Sequence, residues 1–298
     1  MLGGGAAVVA GDVPMVVWAQ QVLARAPDEL PRVILVSAGD GADPASRRSV
    51  VAFEQGLSAA GWSAGVNMRL DYRWLGADDL TKRAAAAAAE IAGLRPTVTV
   101  AVGAAVSLAM QRATSTIPIV FAVVSDPIAQ GLVSQLAHPG GNITGFSLFE
   151  PGMGGKWLDL LKKMLPHTTR VAVMFNPVVS PVNELFLRTV NDAARSFDVE
   201  VTRAPVQDDT DIEAIVERLA GARNGALLVP SDAFTVFRSK MIVALVNKYC
   251  LPAIYAYRRF VGDGGLVSYG VDLDEHMRST ASYVDRIIKG TKPGELPI

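Results

Sequence analysis

A repeated alternation of short apolar runs with longer helical patterns limits the folds that are open to this chain. Runs at residues 32–37, 97–102 and 117–124 are rich in β-branched residues and have the length of single buried strands. Helical patterns separate these runs, and right-handed crossovers between parallel strands place such helices on both faces of a sheet. The sequence therefore predicts an α/β fold built from doubly wound parallel sheets.

The alternation starts again after a composition shift at residues 150–155, which read EPGMGG. The chain has 298 residues, half of them hydrophobic, and is long enough for two cores. We therefore predict two lobes that are joined by short crossovers and divided as follows: residues 31–147 and 271–290 in the first lobe, and residues 148–270 and 291–298 in the second. Residues 1–30 precede the lobes as a signal-like or disordered N-terminus.

Local patterns add finer predictions. Residues 129–137 predict a short helix between the fourth and fifth strands, and residues 234–249 predict one continuous helix. Cys250 is the single cysteine of the chain, so no internal disulfide can form. Its apolar neighbours in sequence indicate a buried structural thiol.

Charge and motif content argue against several classes of function. The formal net charge is -1 and no block of Lys or Arg is present, which argues against a nucleic-acid partner. His138, His167 and His276 lack metal-ligand spacing, so we predict no metal site and no cofactor. The sequence has no Gly-x-Ser-x-Gly elbow, Walker loop or His-Glu-x-x-His motif. We therefore predict no catalytic residues and favour binding without catalysis.

Two such lobes would enclose a central cleft lined by their strand-end loops. Parallel α/β sheets bind ligands beyond the carboxyl ends of their strands, which makes this cleft the predicted ligand site. The residues that we predict to bind a ligand there are Ser37, Gly39, Trp74, Gly103, Ala104, Asp126 and Phe146 from the first lobe, and Asn176, Ser231, Asp232 and Tyr257 from the second.

Charged and backbone groups in this set suggest how a ligand would be held. Asp126 and Asp232 each follow a strand, one in each lobe, and are placed to hold a ligand ammonium together. A helix-capping role is the alternative for Asp126, and the two roles are compatible. The amides of Gly103 and Ala104 begin a helix, which suits a ligand carboxylate.

Aromatic residues near the predicted cleft are candidates for clasping an apolar part of the ligand. They are Trp74, Phe146, Phe149 and Tyr257. Their faces offer large apolar area at fixed geometry. Ordinary packing in a core or on a lobe surface is the alternative, which the sequence leaves open.

The first residues resemble part of an export signal. Residues 2–19 are mostly small and apolar and precede the polar pair Gln20 and Gln21, but the positively charged start is missing. Asp12 and Pro14 interrupt the apolar run, which argues against a transmembrane helix. A disordered or wrongly assigned start is the alternative.

Several blocks of sequence together resemble the tryptophan-uptake-type family of ABC transporter substrate-binding proteins. The resemblance runs from about Arg32 to the C-terminus and is carried by residues 53–57 (FEQGL), 71–74 (DYRW), 117–121 (IPIVF), 139–146 (PGGNITGF), 155–158 (GKWL), 171–177 (VAVMFNP) and 264–270 (GGLVSYG). It implies a type I periplasmic-binding fold with a hinge, a periplasmic location, and a monomer that delivers a small-molecule ligand to a membrane ABC permease.

The resemblance also bears on both ends of the chain and on the ligand. Residues 2–7 look like the apolar part of a twin-arginine signal whose arginines lie upstream of Met1, and family members usually continue beyond Pro297. Where the family often carries Gly-Thr-Pro, this chain has Gly103-Ala104-Ala105, which keeps the amides and loses the hydroxyl. The ligand class therefore stays open between an amino acid and another small organic or aromatic acid.

Two other functional classes remain as alternatives. The same fold serves as the ligand-sensing domain of regulators and receptors, but a DNA-binding regulator would need a helix-turn-helix before Pro31, which the signal-like start does not supply. An enzyme built on two α/β lobes is disfavoured by the missing catalytic motifs.

Overall fold

Two five-stranded parallel sheets form the centres of two lobes. The computed structural model of the protein describes residues 30–76, 79–148 and 152–298. The first sheet has the order β2-β1-β3-β4-β5 and consists of β1 Arg32–Ser37, β2 Arg69–Trp74, β3 Val98–Val102, β4 Ile119–Val124 and β5 Ile143–Ser147. The second has the order β10-β9-β8-β6-β7 and consists of β6 Arg170–Phe175, β7 Glu200–Pro205, β8 Gly225–Val229, β9 Ala253–Tyr255 and β10 Val267–Ser268. The predicted two-lobe parallel α/β fold is confirmed.

Helices cover both sheets. Those of the first lobe are α1 Pro44–Ala59, α2 Leu80–Leu94, α3 Ala104–Ala113 and α10 Leu273–Ile288. Those of the second lobe are α4 Met153–Met164, α5 Asn183–Ala194, α6 Asp209–Ala220, α7 Ala233–Phe237, α8 Ser239–Lys248 and α9 Arg258–Gly262. Within the described part of the chain, no helix is long and apolar enough to cross a membrane.

Sequence explains why these elements form. Strands β3, β4, β6 and β8 are mostly apolar and buried on both faces because helices cover each side of the sheet. Helix α1 begins where Asp43 accepts a hydrogen bond from the backbone N–H of Ser46 and Pro44 takes the first helical position. Gly56 of α1 allows α10 to approach closely, because a Cβ there would lie 2.7 Å from the Cβ of Ala281.

The C-terminal residues lie against the first lobe, which corrects the assignment of residues 291–298 to the second. The hydroxyl of Thr144 in β5 donates to the carbonyl of Leu296 at 2.8 Å, and Leu296 is buried in the first lobe's core. The backbone N–H of Ile298 donates to the carbonyl of Leu136 at 2.9 Å. The chain therefore passes between lobes after β5 and again between β10 and α10.

Two predicted helices are wrong in detail. Residues 129–137 form turns and bends, since the backbone N–H groups of Leu132 and Val133 both turn back to the carbonyl of Pro127. The predicted helix at 234–249 is two helices, α7 and α8, which meet at Arg238. The guanidinium of Arg238 lies over the Phe234 ring and pairs with Asp209, which holds the chain at this break.

Cys250 is exposed, so the prediction of a buried thiol is wrong. It follows α8 with a φ of 49°, in the left-handed turn that ends the helix and points the thiol outward. The signal-like residues 1–29 and Phe149 lie outside the described residues, as does part of the predicted crossover at 150–155.

Candidate functional site

A cavity of about 170 Å³ lies where the carboxyl ends of the two sheets face each other. Both lobes contribute to its wall. From the first lobe and the start of α10 come Ser37, Ala38, Gly39, Ala45, Ser46, Ser49, Val102, Gly103, Val123 and Leu273. From the second come Ser231, Asp232, Ala233, Val236, Phe237, Tyr257 and Arg259. The cavity therefore combines hydroxyl groups, one carboxyl group and one guanidinium with an apolar wall.

The predicted site residues divide between this wall and other places. Those that line the cavity are Ser37, Gly39, Gly103, Ser231, Asp232 and Tyr257, while Trp74, Ala104, Asp126, Phe146 and Asn176 do not. Asn176 nevertheless contacts the wall, because its backbone N–H donates to the carboxylate of Asp232 at 2.6 Å.

Tight loops shape the first lobe's wall. The backbone N–H of Gly39 donates to the hydroxyl of Ser37 at 3.0 Å, which turns the chain after β1. A Cβ on Gly39 would lie 2.7 Å from the Oγ of Ser46, so glycine lets the first turn of α1 reach the cavity. Gly103 begins α3 with a φ of 99°, a conformation that favours glycine.

Asp232 is a buried carboxylate that joins two strand ends of the second lobe. One oxygen accepts from the backbone N–H of Asn176 after β6, and the other accepts from the backbone N–H of Thr235 in α7 at 3.2 Å. The residue is 2% exposed, and burial raises the pKa of Asp232 to about 6. Its carboxyl group therefore both caps α7 and orders the floor of the cavity.

Ser231 and Tyr257 form a hydroxyl pair beside Asp232. Their Oγ and hydroxyl atoms are hydrogen-bonded to each other, and the side-chain amide of Asn183 donates to the carbonyl of Ser231 at 2.9 Å. Burial raises the pKa of Tyr257, so its hydroxyl stays protonated near neutral pH. The pair offers a solute hydroxyl groups in fixed positions.

An ion pair joins the two lobes beside the cavity. The guanidinium of Arg259, at the start of α9, donates to the carboxylate of Asp43 at 2.6 Å, and its Nε donates to Ser239 at 3.0 Å. Each charged side chain is 20% exposed. Partial burial raises the pKa of Asp43, but hydrogen bonds from Ser46 and Arg259 outweigh it, so the pKa is lowered and the carboxylate stays ionised.

Val123 has an uncommon backbone conformation at the cavity wall. Its φ is 59°, which is rare for a β-branched residue, and the pairing of β4 with β5 shifts register between Phe121 and Val124. Its backbone N–H donates to the Nε2 of His276 in α10 at 3.2 Å.

The remaining predicted residues have local packing or hydrogen-bonding roles. Asp126 accepts from the backbone N–H of Ala129 at 3.0 Å, which is a local contact within the turn after β4. Trp74 stacks on Tyr72 with ring centroids 6.5 Å apart, and the ring of Phe146 lies 4.4 Å from that of Tyr283. Ala104 packs on the core of the first lobe.

Sequence reasoning from strand ends missed the helix starts that line the cavity. Ser46 and Ser49 lie three residues apart on one face of α1, and Val236 and Phe237 follow Ala233 at helical spacing in α7. Capping signals and i, i+3 spacing could have found these positions once the helix starts were assigned.

Burial of two ionisable groups predicts opposite effects of pH on stability. Burial lowers the pKa of His276 from 6.5 to about 4. The contribution of His276 to the free energy of unfolding therefore falls as the pH falls from 6.5 to about 4, because only the unfolded chain takes up the proton in that range. Burial raises the pKa of Asp232 from 3.8 to about 6. The contribution of this carboxyl group to the free energy of unfolding therefore rises as the pH falls from about 6 to 3.8, because the folded protein takes up the proton first.

We therefore expect His276→Gln to be less destabilising at about pH 4.5 than at about pH 7, and Asp232→Asn to be more destabilising, each by about 1–2 kcal/mol. Urea unfolding of the parent and both variants at the two pH values checks this. If the stability difference between each variant and the parent does not change with pH, the pKa shifts of both His276 and Asp232 are contradicted.

Two parallel α/β lobes with a cavity that both of them line are typical of the class of periplasmic-type solute-binding folds. The chain belongs to the family described as ABC transporter substrate binding protein, whose model matches residues 42–298. This confirms the resemblance found in the sequence. Proteins of this family bind small molecules outside the cytoplasm and work with an ABC permease.

Individual proteins are also similar to this chain in sequence or in fold. A tyrosine-binding protein of Clostridioides difficile (strain R20291) is 24% identical over 256 residues, which cover 86% of this chain and 72% of the relative. A conserved domain protein from Vibrio cholerae has a TM-score of 0.81 at 26% identity, covering 90% of this chain and 88% of that one. An ABC domain in complex with L-Trp from Streptococcus pneumoniae has a TM-score of 0.78 at 19% identity, with the same coverage.

Proposed function

We propose that the protein is the periplasmic solute-binding component of an ABC importer and captures a small organic solute between its lobes. The observation that carries this proposal is the cavity itself, since strand ends and helix starts of both lobes line it and the Arg259–Asp43 ion pair spans them. A monomer that closes on its solute and presents it to a membrane permease fits this arrangement. The signal-like residues 2–19 support export.

The chemistry of the wall supports an amino acid or a small aromatic or organic acid as the solute. Arg259 offers a cation for a carboxylate, and hydroxyl groups of Ser37, Ser231 and Tyr257 offer hydrogen bonds. Val236 and Phe237 supply an apolar surface. The volume of about 170 Å³ is close to the roughly 150 Å³ of a cavity that holds benzene, which suits a single ring.

A thermal-shift panel tests this proposal. The panel contains L-tyrosine, L-tryptophan, L-phenylalanine, benzoate and 4-hydroxybenzoate, with a sugar and a polyamine as controls. A solute at about a hundred times its dissociation constant adds about 2.7 kcal/mol of stability, which raises Tm by roughly 5 °C in a chain of this size. We expect one acid or amino acid to do this and the controls to have no effect. No shift with any acid, together with no bound mass in native spectra, would contradict the proposal.

A further inference from the structure

Val123 holds an unfavourable conformation at the point where the cavity wall meets both lobes. A φ of 59° places its branched side chain against its own backbone, and such outliers persist only where surrounding contacts enforce them. The side chain lines the cavity and packs against the hydrophobic cores of both lobes. The position of this residue therefore affects the shape of the cavity and the fit between the lobes.

His276 supplies a contact that enforces this conformation. The backbone N–H of Val123 leaves the regular strand ladder at the register shift and donates to the His276 Nε2. The imidazole is 7% exposed, and its lowered pKa keeps Nε2 unprotonated and able to accept near neutral pH. The edge of the ring also meets Phe146, at 6.0 Å between centroids, which fixes its orientation.

The location of His276 links the cavity wall to a crossover between the lobes. It lies in the first turn of α10, which Asp272 caps directly after the chain returns from β10. Leu273 of the same turn lines the cavity and packs against the second lobe's core. A change in the direction of this crossover would therefore move His276 and Leu273 together.

We propose that His276 is a positioning residue for the solute cavity, because it holds Val123 in its left-handed conformation and joins that wall to the second crossover. The effect of His276 on solute binding rests on the proposed function, whereas its contact with the Val123 backbone does not. Nothing in this role requires His276 to touch the solute.

Three variants separate positioning from general stability. His276→Leu removes the acceptor at similar volume, and His276→Gln keeps an acceptor oxygen. Thr280→Val is the matched control, since Thr280 is buried one turn further along α10 and its hydroxyl donates to the carbonyl of His276 without involving Val123.

Amide hydrogen exchange measured by NMR reports directly on the hydrogen bond from the Val123 N–H to His276. Val120, in the middle of β4, is the internal reference. We expect His276→Leu to speed exchange at Val123 about fivefold or more relative to Val120. His276→Gln should largely restore the ratio, and Thr280→Val should change both amides by the same factor. An unchanged ratio in His276→Leu would overturn the proposal.

Binding of the panel solute that raises Tm most tests whether His276 positions the cavity wall for the solute. We expect His276→Leu to weaken its binding roughly tenfold, with partial rescue in His276→Gln and little change in Thr280→Val. Altered exchange at Val123 with unchanged affinity would overturn the positioning role. If no panel solute binds the parent protein, the proposed function fails on its own, and the positioning role fails with it, while the exchange ratio still decides whether His276 holds Val123.

Discussion

Replacement of Asp232 by alanine is expected to lower the free energy of unfolding by about 2–4 kcal/mol, because two buried amides would lose their acceptor. These amides belong to Asn176 and Thr235, in separate elements of the second lobe. Since the same carboxyl group orders the cavity floor, solute binding should weaken as well. Urea unfolding at neutral pH and calorimetric titration with the best panel solute measure the two effects.

Asp208→Ala provides the matched control for this prediction. Asp208 caps α6 through the backbone N–H of Asp211 in the same manner, but it is exposed and lies outside the cavity. Asp208→Ala should lower the free energy of unfolding clearly less than Asp232→Ala does, and its solute affinity should stay at the parent value. Equal losses in the two variants would show that Asp232 acts only as an ordinary helix cap.

Replacement of Arg259 by methionine is expected to weaken solute binding about 5- to 150-fold, equivalent to about 1–3 kcal/mol. The guanidinium lines the cavity and pairs with Asp43 across the lobes, so its loss removes the cation proposed to bind the solute and breaks the ion pair between the lobes. Methionine keeps much of the side-chain length and apolar packing. Calorimetric titration with the best panel solute measures the change.

Arg258→Met is the control for this variant because it removes the neighbouring positive charge. Arg258 is 79% exposed and pairs with Asp272 at 3.5 Å. We expect its affinity to remain within about twofold of the parent, as for other exposed ion pairs. If the two variants bind alike, the effect is one of net charge and Arg259 has no specific role.

The regular elements could be predicted well where strands are buried on both faces. Strand β1 has the predicted bounds and helix α3 begins where predicted, because a continuous apolar run and a glycine start are local signals. The turn at residues 129–137 could not be predicted, since its helical pattern gives way to backbone bonds that return to Pro127. Tertiary contacts of Arg238 likewise divide the helix predicted at 234–249.

The cavity wall was predictable only in part. Ser37 ends β1 and Ser231 follows β8, so the rule that parallel sheets bind ligands at their carboxyl ends finds them. Arg259 reaches the wall because of how α9 is oriented, which no local pattern encodes. The left-handed Val123 lies within an ordinary β-branched run, where sequence predicts only extended backbone.

A crystal structure of the protein with the panel solute that most raises Tm tests solute capture between the lobes most directly. We expect electron density for that solute inside the cavity, within hydrogen-bond distance of Ser37 or Ser46 on one lobe and of Ser231, Tyr257 or Arg259 on the other. Density for the solute on the outer surface alone, or against a single lobe with the cavity left to water, would contradict capture between the lobes.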